Sequence, residues 1–465
     1  MNKRTKIVCT IGPASWDPSV MRAMIENGMD CARVNGAFAD PAEMDKVKEL
    51  VRAVSQEVSL MLDVKGPEVR LNKFPEPIKL APGMHLSIGS TPTDPLYPAN
   101  YPHLYKFVQA GQKILVGDGD VELVVKEVTN GFLHCEVVFG EILKPGKALN
   151  LPGCTYTTDV LTEKDKENLR HAIVTGWDFV SPSFIQDKES ALQVRAFLKG
   201  SDMKIIAKIE NQVGIDNIDE ILEVVDGIMV ARGGLGVELG LGKVPLVQRL
   251  LIEKANEAGK PVITATQMLE SMITNPSPTR AEANDIATAI LSGTDAIMLS
   301  GESSAGKYPA EAVAFMSKAA GEIEPSIEPK IITKRALDAS ISADAITKAA
   351  ASLCIEMSKD IDKVLVVSKT GRTARLLARH NITQPIFAFV ASEVSARTLL
   401  LSKGIMKTFV QPPSLEARDS AVMQIVERAK QEGLVAVNER VLLLCKTPID
   451  GEHYFPNVFE IIEVK

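Results

Sequence analysis

The sequence predicts an α/β protein of three domains, the largest of which is a (β/α)8 TIM barrel. The length of 465 residues corresponds to about three domains at roughly 150 residues each. Short apolar runs alternate with segments of helical periodicity, with crossovers long enough for parallel pairing. The eight runs predicted as barrel strands are residues 6–11, 31–35, 60–64, 179–184, 204–209, 227–231, 261–266 and 296–299.

Helix start signals separate the first three runs. Asp17 precedes Pro18, and Asp40 precedes Pro41. An aspartate before a proline supplies a capping acceptor followed by a residue suited to the first helical position. The two pairs therefore predict the starts of the first two barrel helices.

Two further domains interrupt and follow the barrel, which is assigned to residues 1–69 and 151–331. Residues 70–150 are rich in β-branched residues and turn signals such as Asn130-Gly131, and they predict a small β-barrel lid domain. Such a lid would exclude water from the chemistry; the alternative is an insertion without mobility. Residues 332–465 predict an α/β domain, with helices at 343–357 and 374–380 and strands at 363–368 and 385–389.

Composition and charge exclude several classes of protein. The net charge is −7 and no block of like charges stands out, so nucleic acid is not an expected partner. No apolar run reaches about 20 residues and the start is polar, so we expect no membrane partner and a cytoplasmic location. The six cysteines are scattered without a C-x-x-C pair, which favours reduced thiols in the core.

Polar residues end or follow seven of the eight predicted strands, at the face where barrels of this kind place their active sites. Any one of them could be a salt bridge at the barrel rim, but seven together favour a polar site. They are Arg33 and Asn35, Asp63 and Lys65, Ser181 and Ser183, Lys208 and Glu210, Arg232 to Gly234, Thr264 with Thr266 and Gln267, and Ser300 with Glu302.

Two of these groups indicate phosphate chemistry. Lys208 and Glu210 stand two apart on one strand, so both side chains face the same side. A cation and a carboxylate so placed suit phosphoryl transfer with a divalent metal, although a structural ion pair remains an alternative. Gly233 and Gly234 follow a strand and would leave N–H groups for an anion, to which Thr266 could add a hydroxyl. Glycines here could also serve only a tight turn.

The chain resembles the pyruvate kinase family over essentially its whole length. The strings that carry the resemblance occur in the family's order and are specific to it. They are TKIVCTIGPAS (5–15), LDVKGPEVR (62–70), AKIEN (207–211), GIMVARG (227–233), ATQMLESM (265–272), PTRAE (278–282) and IMLSGE (297–302).

This resemblance implies phosphoryl transfer from phosphoenolpyruvate to ADP, giving pyruvate and ATP in glycolysis, with Mg2+ or Mn2+ and K+ as the family's cations. It also implies the same three-domain architecture and a homo-oligomer, commonly a tetramer. The implied roles are phosphate binding for Arg33, stabilisation of the transferring group for Lys208, divalent-metal binding for Glu210, carboxylate binding for Gly233, Gly234 and Thr266, monovalent-cation binding for Asn35 and Asp63, and a proton relay for Ser300 and Glu302. The loop Ser368, Lys369, Thr370, Gly371, Arg372 and Thr373 is similar to one that grips a sugar-phosphate effector; the alternative is an ordinary strand-to-helix turn.

The sequence departs from the family at the cation sites. Gly234 stands where the family has the second metal-binding aspartate, so divalent metal should be held weakly. Ala37 and Val64 replace a serine and a threonine that bind the monovalent cation, and Phe38 replaces a histidine near the nucleotide. Glu68 stays acidic, whereas relatives that dispense with K+ usually have a lysine there. Two of the family's four monovalent-cation ligands are thus lost without the usual substitute charge, and because of this loss no requirement for K+ is expected.

Two interpretations follow from these matches and departures. In the first, the chain is a working pyruvate kinase or a near relative that acts on another enolpyruvate ester. In the second, it is a catalytically lapsed paralogue that binds pyruvate-like ligands or regulates a partner. Retention of Lys208 favours the first interpretation. The departures at Gly234, Ala37, Val64 and Phe38 together favour the second or a changed substrate.

Overall fold

The protein is described from a computed structural model. It covers residues 3–89, 99–101, 103–117, 119–154, 159–337, 339–410, 418–445 and 458–465, with the main chain alone at 418–422 and 458.

Eight parallel strands close into a barrel, in the spatial order β1, β15, β14, β13, β12, β11, β3 and β2. The eight predicted runs coincide with these strands to within two residues at either end. Their bounds are β1 Lys6–Thr10, β2 Cys31–Asn35, β3 Ser59–Val64, β11 Phe179–Pro182, β12 Lys204–Ile209, β13 Gly227–Ala231, β14 Val262–Ala265 and β15 Ala296–Leu299.

Helices surround the barrel and bury one face each against its strands. The predicted caps are confirmed: Asp17 accepts hydrogen bonds from the Ser19 and Val20 N–H groups, and Asp40 accepts one from the Glu43 N–H. The helices are α1 Pro18–Glu26, α2 Pro41–Arg52, α3 Glu163–Thr175, α4 Lys188–Phe197, α5 Gln212–Asp216, α6 Ile218–Val224, α7 Arg232–Leu239, α8 Val244–Ala258, α9 Arg280–Leu291, α10 Gly301–Ser304 and α11 Pro309–Ile323. Short 3-10 turns lie at Pro13–Ser15, Leu241–Lys243, Glu270–Ile273 and Glu324–Ser326.

The segment between β3 and α3 is built of antiparallel strands around its own apolar cluster. One sheet has the order β10, β6, β7, β8 and β5, and β4 pairs with β9. The strands are β4 Ile78–Lys79, β5 His85–Gly89, β6 Lys113–Val116, β7 Val121–Thr129, β8 Phe132–Phe139, β9 Ile142–Leu143 and β10 Leu149–Asn150. The 3-10 turn Leu104–Lys106 lies between β5 and β6.

The C-terminal domain is a five-stranded sheet with helices, in the order β18, β17, β16, β19 and β20, of which only β20 is antiparallel to its neighbour. Its strands are β16 Lys363–Val367, β17 Ile386–Val390, β18 Ile405–Val410, β19 Arg440–Cys445 and β20 Val458–Glu463. Its helices are α12 Ile341–Glu356, α13 Arg372–Ala378, α14 Glu393–Leu399 and α15 Arg418–Gln431.

The C-terminal domain docks on the base of the barrel, opposite the carboxyl ends of the strands. Leu401 joins the apolar cluster that fills the barrel interior, together with Phe179 and Met61. Arg397 donates to the Asp178 carboxylate at 2.8 Å, which ties α14 to the start of β11. Among the residues the structure describes, no helix combines the length and the apolar character that crossing a membrane requires.

Candidate active site

Lys208 and Glu210 meet at the carboxyl end of β12, as their spacing predicts. The Lys208 Nζ lies 3.0 Å from Glu210 Oε1, and both side chains are largely buried. The same Nζ donates to Ser183 Oγ at 2.7 Å and lies 3.2 Å from Asp63 Oδ1. The ammonium group is therefore fixed by groups from three barrel strands or their ends.

Arg33 reaches the same centre from β2. Its Nε and Nη2 contact Asp63 Oδ2 at 2.9 and 2.7 Å, and its Nη1 donates to Thr10 Oγ1 at 2.6 Å. Strands β1, β2 and β3 are neighbours in the barrel, which places Thr10, Arg33 and Asp63 side by side. The guanidinium is thus held in one orientation beside the Lys208 ammonium.

The charges of this centre stabilise one another. Burial raises the pKa of the Asp63 carboxyl, but the charges and hydrogen bonds of Arg33 and Lys208 outweigh it and the pKa lies below its usual value. Burial lowers the pKa of Lys208, but the carboxylates of Asp63 and Glu210 outweigh it and the pKa is raised. The opposite charges around Asp63 and Lys208 therefore favour the charged form of each.

Thr10 and Ser183 supply hydroxyls that contact Arg33 and Lys208, a role that the sequence does not predict for either. Ser183 was identified only as a polar strand end, and Thr10 was not identified at all. Ser183 Oγ donates to the Val64 carbonyl at 2.9 Å, so its lone pairs face the Lys208 ammonium. A hydroxyl one or two residues from the end of a predicted barrel strand is the signal that could have found both.

The glycine-rich start of α7 lies beside Thr266, which follows β14. The Gly233 N–H donates to Thr266 Oγ1 at 2.9 Å, and this hydroxyl donates to the Ala265 carbonyl at 2.7 Å. Thr266 and Gln267 both have positive φ, 71° and 52°, so the chain turns sharply where β14 ends. Helix α7 begins at Arg232 with no hydrogen bond from an N-cap side chain among the described residues, and its Gly233 N–H is taken by Thr266.

Arg232, in contrast, does not face the site. Its Nη1 contacts both oxygens of Asp285 at 2.7 and 2.6 Å, and its Nη2 donates to the Thr266 carbonyl. The sequence grouped Arg232 with the polar strand ends. The structure instead uses it, almost fully buried, to hold the Thr266 turn against α9.

Gly234 lies directly against Glu210. A Cβ atom added at Gly234 would lie 3.0 Å from Glu210 Cβ and 3.3 Å from the Glu210 carbonyl oxygen. Among the described residues, no group of three or more His, Cys, Asp or Glu side chains could hold a metal ion. The Glu210 carboxylate is an oxygen donor that could hold Mg2+ if substrate oxygens and water completed the shell.

The residues assigned to a monovalent cation are engaged elsewhere. Asn35 Oδ1 accepts the Ala37 N–H at 3.2 Å, within its own loop. Asp63 is bound by Arg33 and Lys208 as described above. Ala37 and Val64 carry only carbon in their side chains. The structure therefore brings Asp63 into the site, whereas the side-chain oxygen of Asn35 accepts a hydrogen bond from the main chain of its own loop.

Glu302 and Ser300 lie together at the end of β15. The Glu302 side chain is fully buried, and its oxygens accept the Leu269 N–H at 3.0 Å and the Ser300 N–H at 2.7 Å. Glu302 consequently fixes both the Ser300 main chain and the segment after Thr266.

The loop at residues 368–373 lies in the C-terminal domain, between β16 and α13. Its Gly371 has φ 75°, and the Thr373 N–H donates to Ser368 Oγ at 3.4 Å. The Lys369 carbonyl accepts the Ala391 N–H at 3.1 Å. The loop is thus a strand-to-helix turn at the start of α13, and it belongs to a different domain from the barrel site.

Comparisons with known proteins agree with this architecture. The family model described as "Pyruvate kinase, barrel domain" matches residues 2–313, and "Pyruvate kinase, alpha/beta domain" matches residues 344–462. The pyruvate kinase of Sporosarcina psychrophila is 39% identical over 474 residues, covering 99% of this chain and 80% of its own. That of Geobacillus stearothermophilus is 38% identical over 476 residues, with the same coverage.

A solved structure gives the same result. The crystal structure of a pyruvate kinase from Cryptosporidium parvum superposes with a TM-score of 0.92 at 32% identity, covering 100% of this chain and 96% of that one. The resemblance found in the sequence motifs therefore extends to the whole fold, and the chain belongs to the pyruvate kinase family.

Proposed function

We propose that the chain transfers the phosphoryl group of phosphoenolpyruvate to ADP, giving ATP and, after protonation of the enolate, pyruvate. The observation that carries this proposal is the Lys208 ammonium, held by Asp63, Glu210 and Ser183 beside the Arg33 guanidinium. Phosphoryl transfer depends chiefly on positioning and on stabilising charge at the phosphoryl oxygens. Two fixed cations at one barrel mouth supply both.

Arg33 would bind the phosphate of the substrate, and Lys208 would stabilise the negative charge on the phosphoryl group during its transfer. Each cation is held by hydrogen bonds to protein groups, so little reorganisation accompanies the reaction. Support for this division comes from the geometry: Arg33 is anchored by Thr10 and Asp63 at the β2 side, and Lys208 lies nearer the metal carboxylate Glu210.

The carboxylate of phosphoenolpyruvate would lie at the start of α7. The Gly233 and Gly234 N–H groups and the Thr266 hydroxyl are the donors proposed to hold it. In the present arrangement Thr266 accepts the Gly233 N–H, so substrate binding would exchange one hydrogen bond for another. This anchor would set the distance between the enol oxygen and the two cations.

Glu210 would hold Mg2+ or Mn2+ together with substrate oxygens. When bound, the divalent ion neutralises charge on the phosphate oxygens of donor and acceptor. Glu210 would share its carboxylate between this ion and Lys208, and Gly234 contributes no second carboxylate. We therefore propose weak metal binding and no requirement for K+, because Ala37 and Val64 supply no oxygen ligand.

Ser300 would deliver the proton to the enolate. Glu302 holds the Ser300 main chain through its N–H, so it would act as a positioning residue for this hydroxyl. ADP and ATP would bind on the outer side of the barrel mouth, beneath the inserted β domain acting as a lid over the substrates. We further propose a cytoplasmic homotetramer in which residues 368–373 bind a phosphate-bearing effector.

The second interpretation, a lapsed paralogue, rests on the departures at Gly234, Ala37, Val64 and Phe38, whereas the cationic centre of Arg33 and Lys208 is intact. A coupled assay of pyruvate formation from phosphoenolpyruvate and ADP, with Mg2+ or Mn2+, tests the proposal. We expect turnover that depends on the divalent ion, with Mn2+ at least as effective as Mg2+. Binding of phosphoenolpyruvate without any turnover in either metal would instead establish the lapsed paralogue.

A further inference from the structure

A second charged cluster lies at the opposite end of the barrel, where the C-terminal domain docks. The Gly404 N–H donates to the Arg4 carbonyl at 3.2 Å, and the Lys403 N–H donates to Asp295 Oδ1 at 2.9 Å. Lys6 Nζ donates to the Ile405 carbonyl at 2.5 Å. The segment that leads into β18 is thus clamped against the N-terminal segment of the barrel.

Two cations in this clamp have donors without protein acceptors. Lys403 is 4% exposed, and its Nζ is fully buried. The Nε and Nη2 atoms of Arg4 are buried as well. Within the described part of the chain none of these three atoms has a hydrogen-bond partner. A buried charged donor without a hydrogen-bond acceptor costs more free energy than a buried neutral donor without one. Three such donors are therefore not expected to remain together unsatisfied in a folded domain interface.

The nearby carboxylates are already used by the main chain. Glu324 accepts the Arg4 and Thr5 N–H groups at 2.7 and 2.5 Å. Asp295 accepts the Lys403 and Val262 N–H groups at 2.9 and 3.0 Å. Neither carboxylate forms a salt bridge within 4.0 Å to Arg4 or Lys403 among the described residues. Both carboxylates attract Lys403 electrostatically and Glu324 attracts Arg4, but neither reaches salt-bridge distance from the two cations.

The cluster also carries excess positive charge. It contains four cationic side chains against three carboxylates, and the Arg375 guanidinium interacts electrostatically with Asp295 from the C-terminal domain. Burial and then the charge of Arg4 lower the pKa of Lys403 to about 8. The cations are Lys3, Arg4, Lys6 and Lys403, and the carboxylates are Asp30, Asp295 and Glu324.

We propose that a small monovalent anion of chloride size binds between the Arg4 guanidinium and the Lys403 ammonium and links the barrel to the C-terminal domain. It would satisfy the three donors and offset the excess charge. The Gly404 main chain lies close beside the same guanidinium, since an added Cβ there would lie 3.2 Å from Arg4 Nη2.

Bromide diffraction tests the site directly in the full-length protein. Crystals grown or soaked in sodium bromide should show an anomalous peak within hydrogen-bonding distance of both Arg4 Nη2 and Lys403 Nζ. Absence of a peak there, with bromide ordered elsewhere, would mean that water satisfies the donors and would overturn the proposal.

Thermal unfolding tests the link in solution. In sodium chloride the wild-type melting temperature should exceed that in sodium gluconate of equal ionic strength by about 2–4 °C, since a ligand held at tenfold its Kd stabilises the folded state. Lys403→Met should abolish this difference, and Lys359→Met, at an exposed lysine of the same domain, should keep it. Equal melting temperatures of the wild type in the two salts would contradict the proposal, whether or not Lys403→Met folds.

Discussion

The main chain of Gly234 packs on Glu210 so closely that a Cβ atom at position 234 would lie 3.0 Å from Glu210 Cβ. Gly234 belongs to α7 and does not have a positive φ, so its backbone conformation is open to any residue. The close approach of α7 to the end of β12 therefore goes together with the loss of a side chain at this position. A carboxylate can return only if the two segments separate by a few tenths of an ångström.

Replacement of Gly234 by aspartate should tighten Mn2+ binding. A second carboxylate beside Glu210 adds a charged ligand, and we expect a gain of about 10–100-fold in affinity, comparable to what outer-shell partners contribute. Titration followed by the electron paramagnetic resonance of free Mn2+ measures it. Gly234→Ala is the matched control, because it introduces the same Cβ contact without the carboxylate. Equal Mn2+ affinity in the two variants, both with native circular dichroism, would remove position 234 from the metal site.

Replacement of Lys208 by methionine should lower kcat by about 10²–10³-fold, the loss typical of removing one fixed group that stabilises transition-state charge. Methionine keeps the length of the side chain and removes its charge. Lys204→Met, at the other end of the same strand β12, should leave kcat near the wild-type value. A Lys208→Met protein with normal kcat in the coupled assay would refute the assigned role.

Activity should be insensitive to replacement of Na+ by K+ at constant ionic strength. Ala37 and Val64 lack the oxygen ligands, and the Asp63 carboxylate is bound by Arg33 and Lys208. The double variant Ala37→Ser with Val64→Thr should acquire a K+ response. A several-fold activation of the wild type by K+ would contradict this prediction.

Asp63 should contribute stability that depends on pH in a defined direction. Its pKa in the folded state lies below the usual 3.8, so its contribution is fully present above about pH 4 and is lost as the pH falls through the folded value. The free energy of unfolding of Asp63→Asn should therefore differ most from wild type near pH 6, and the difference should shrink toward pH 3. Urea unfolding at several pH values measures it, with the exposed Asp202→Asn as control. A difference that stays constant over this range would show that the Asp63 charge is not responsible.

The loop at residues 368–373 should bind a phosphate-bearing effector. Its hydroxyls and the cations of Lys369 and Arg372 lie within one turn at the start of α13. Sugar phosphates should raise the melting temperature, and Arg372→Ala should abolish the rise while Arg335→Ala, outside the loop, retains it. No shift with any sugar phosphate would leave the loop as an ordinary turn.

Local patterns in the sequence are enough to predict the barrel and the Lys208–Glu210 pair at its centre. Apolar runs alternating with capped helices are set by local chemistry, and the strand period of two places Lys208 and Glu210 on one side whatever the partners of β12. The missing carboxylate at position 234 can also be recognised from the sequence, because a glycine has no side chain in any structure. The motifs spread over the whole chain likewise identify the family without a structure, because they are read directly from the order of the residues.

Which strand ends contact one another depends on the tertiary fold and could not be predicted from local patterns. Arg33 meets Thr10 and Asp63 because β1, β2 and β3 are neighbours, a relation between residues far apart in the chain. Arg232 looked like the other strand-end residues, yet it turns to Asp285, since α9 brings a carboxylate to its buried side. The clamp between Arg4 and Lys403 joins residues about four hundred positions apart. Domain docking, which no local pattern encodes, brings those two cations together at the barrel base.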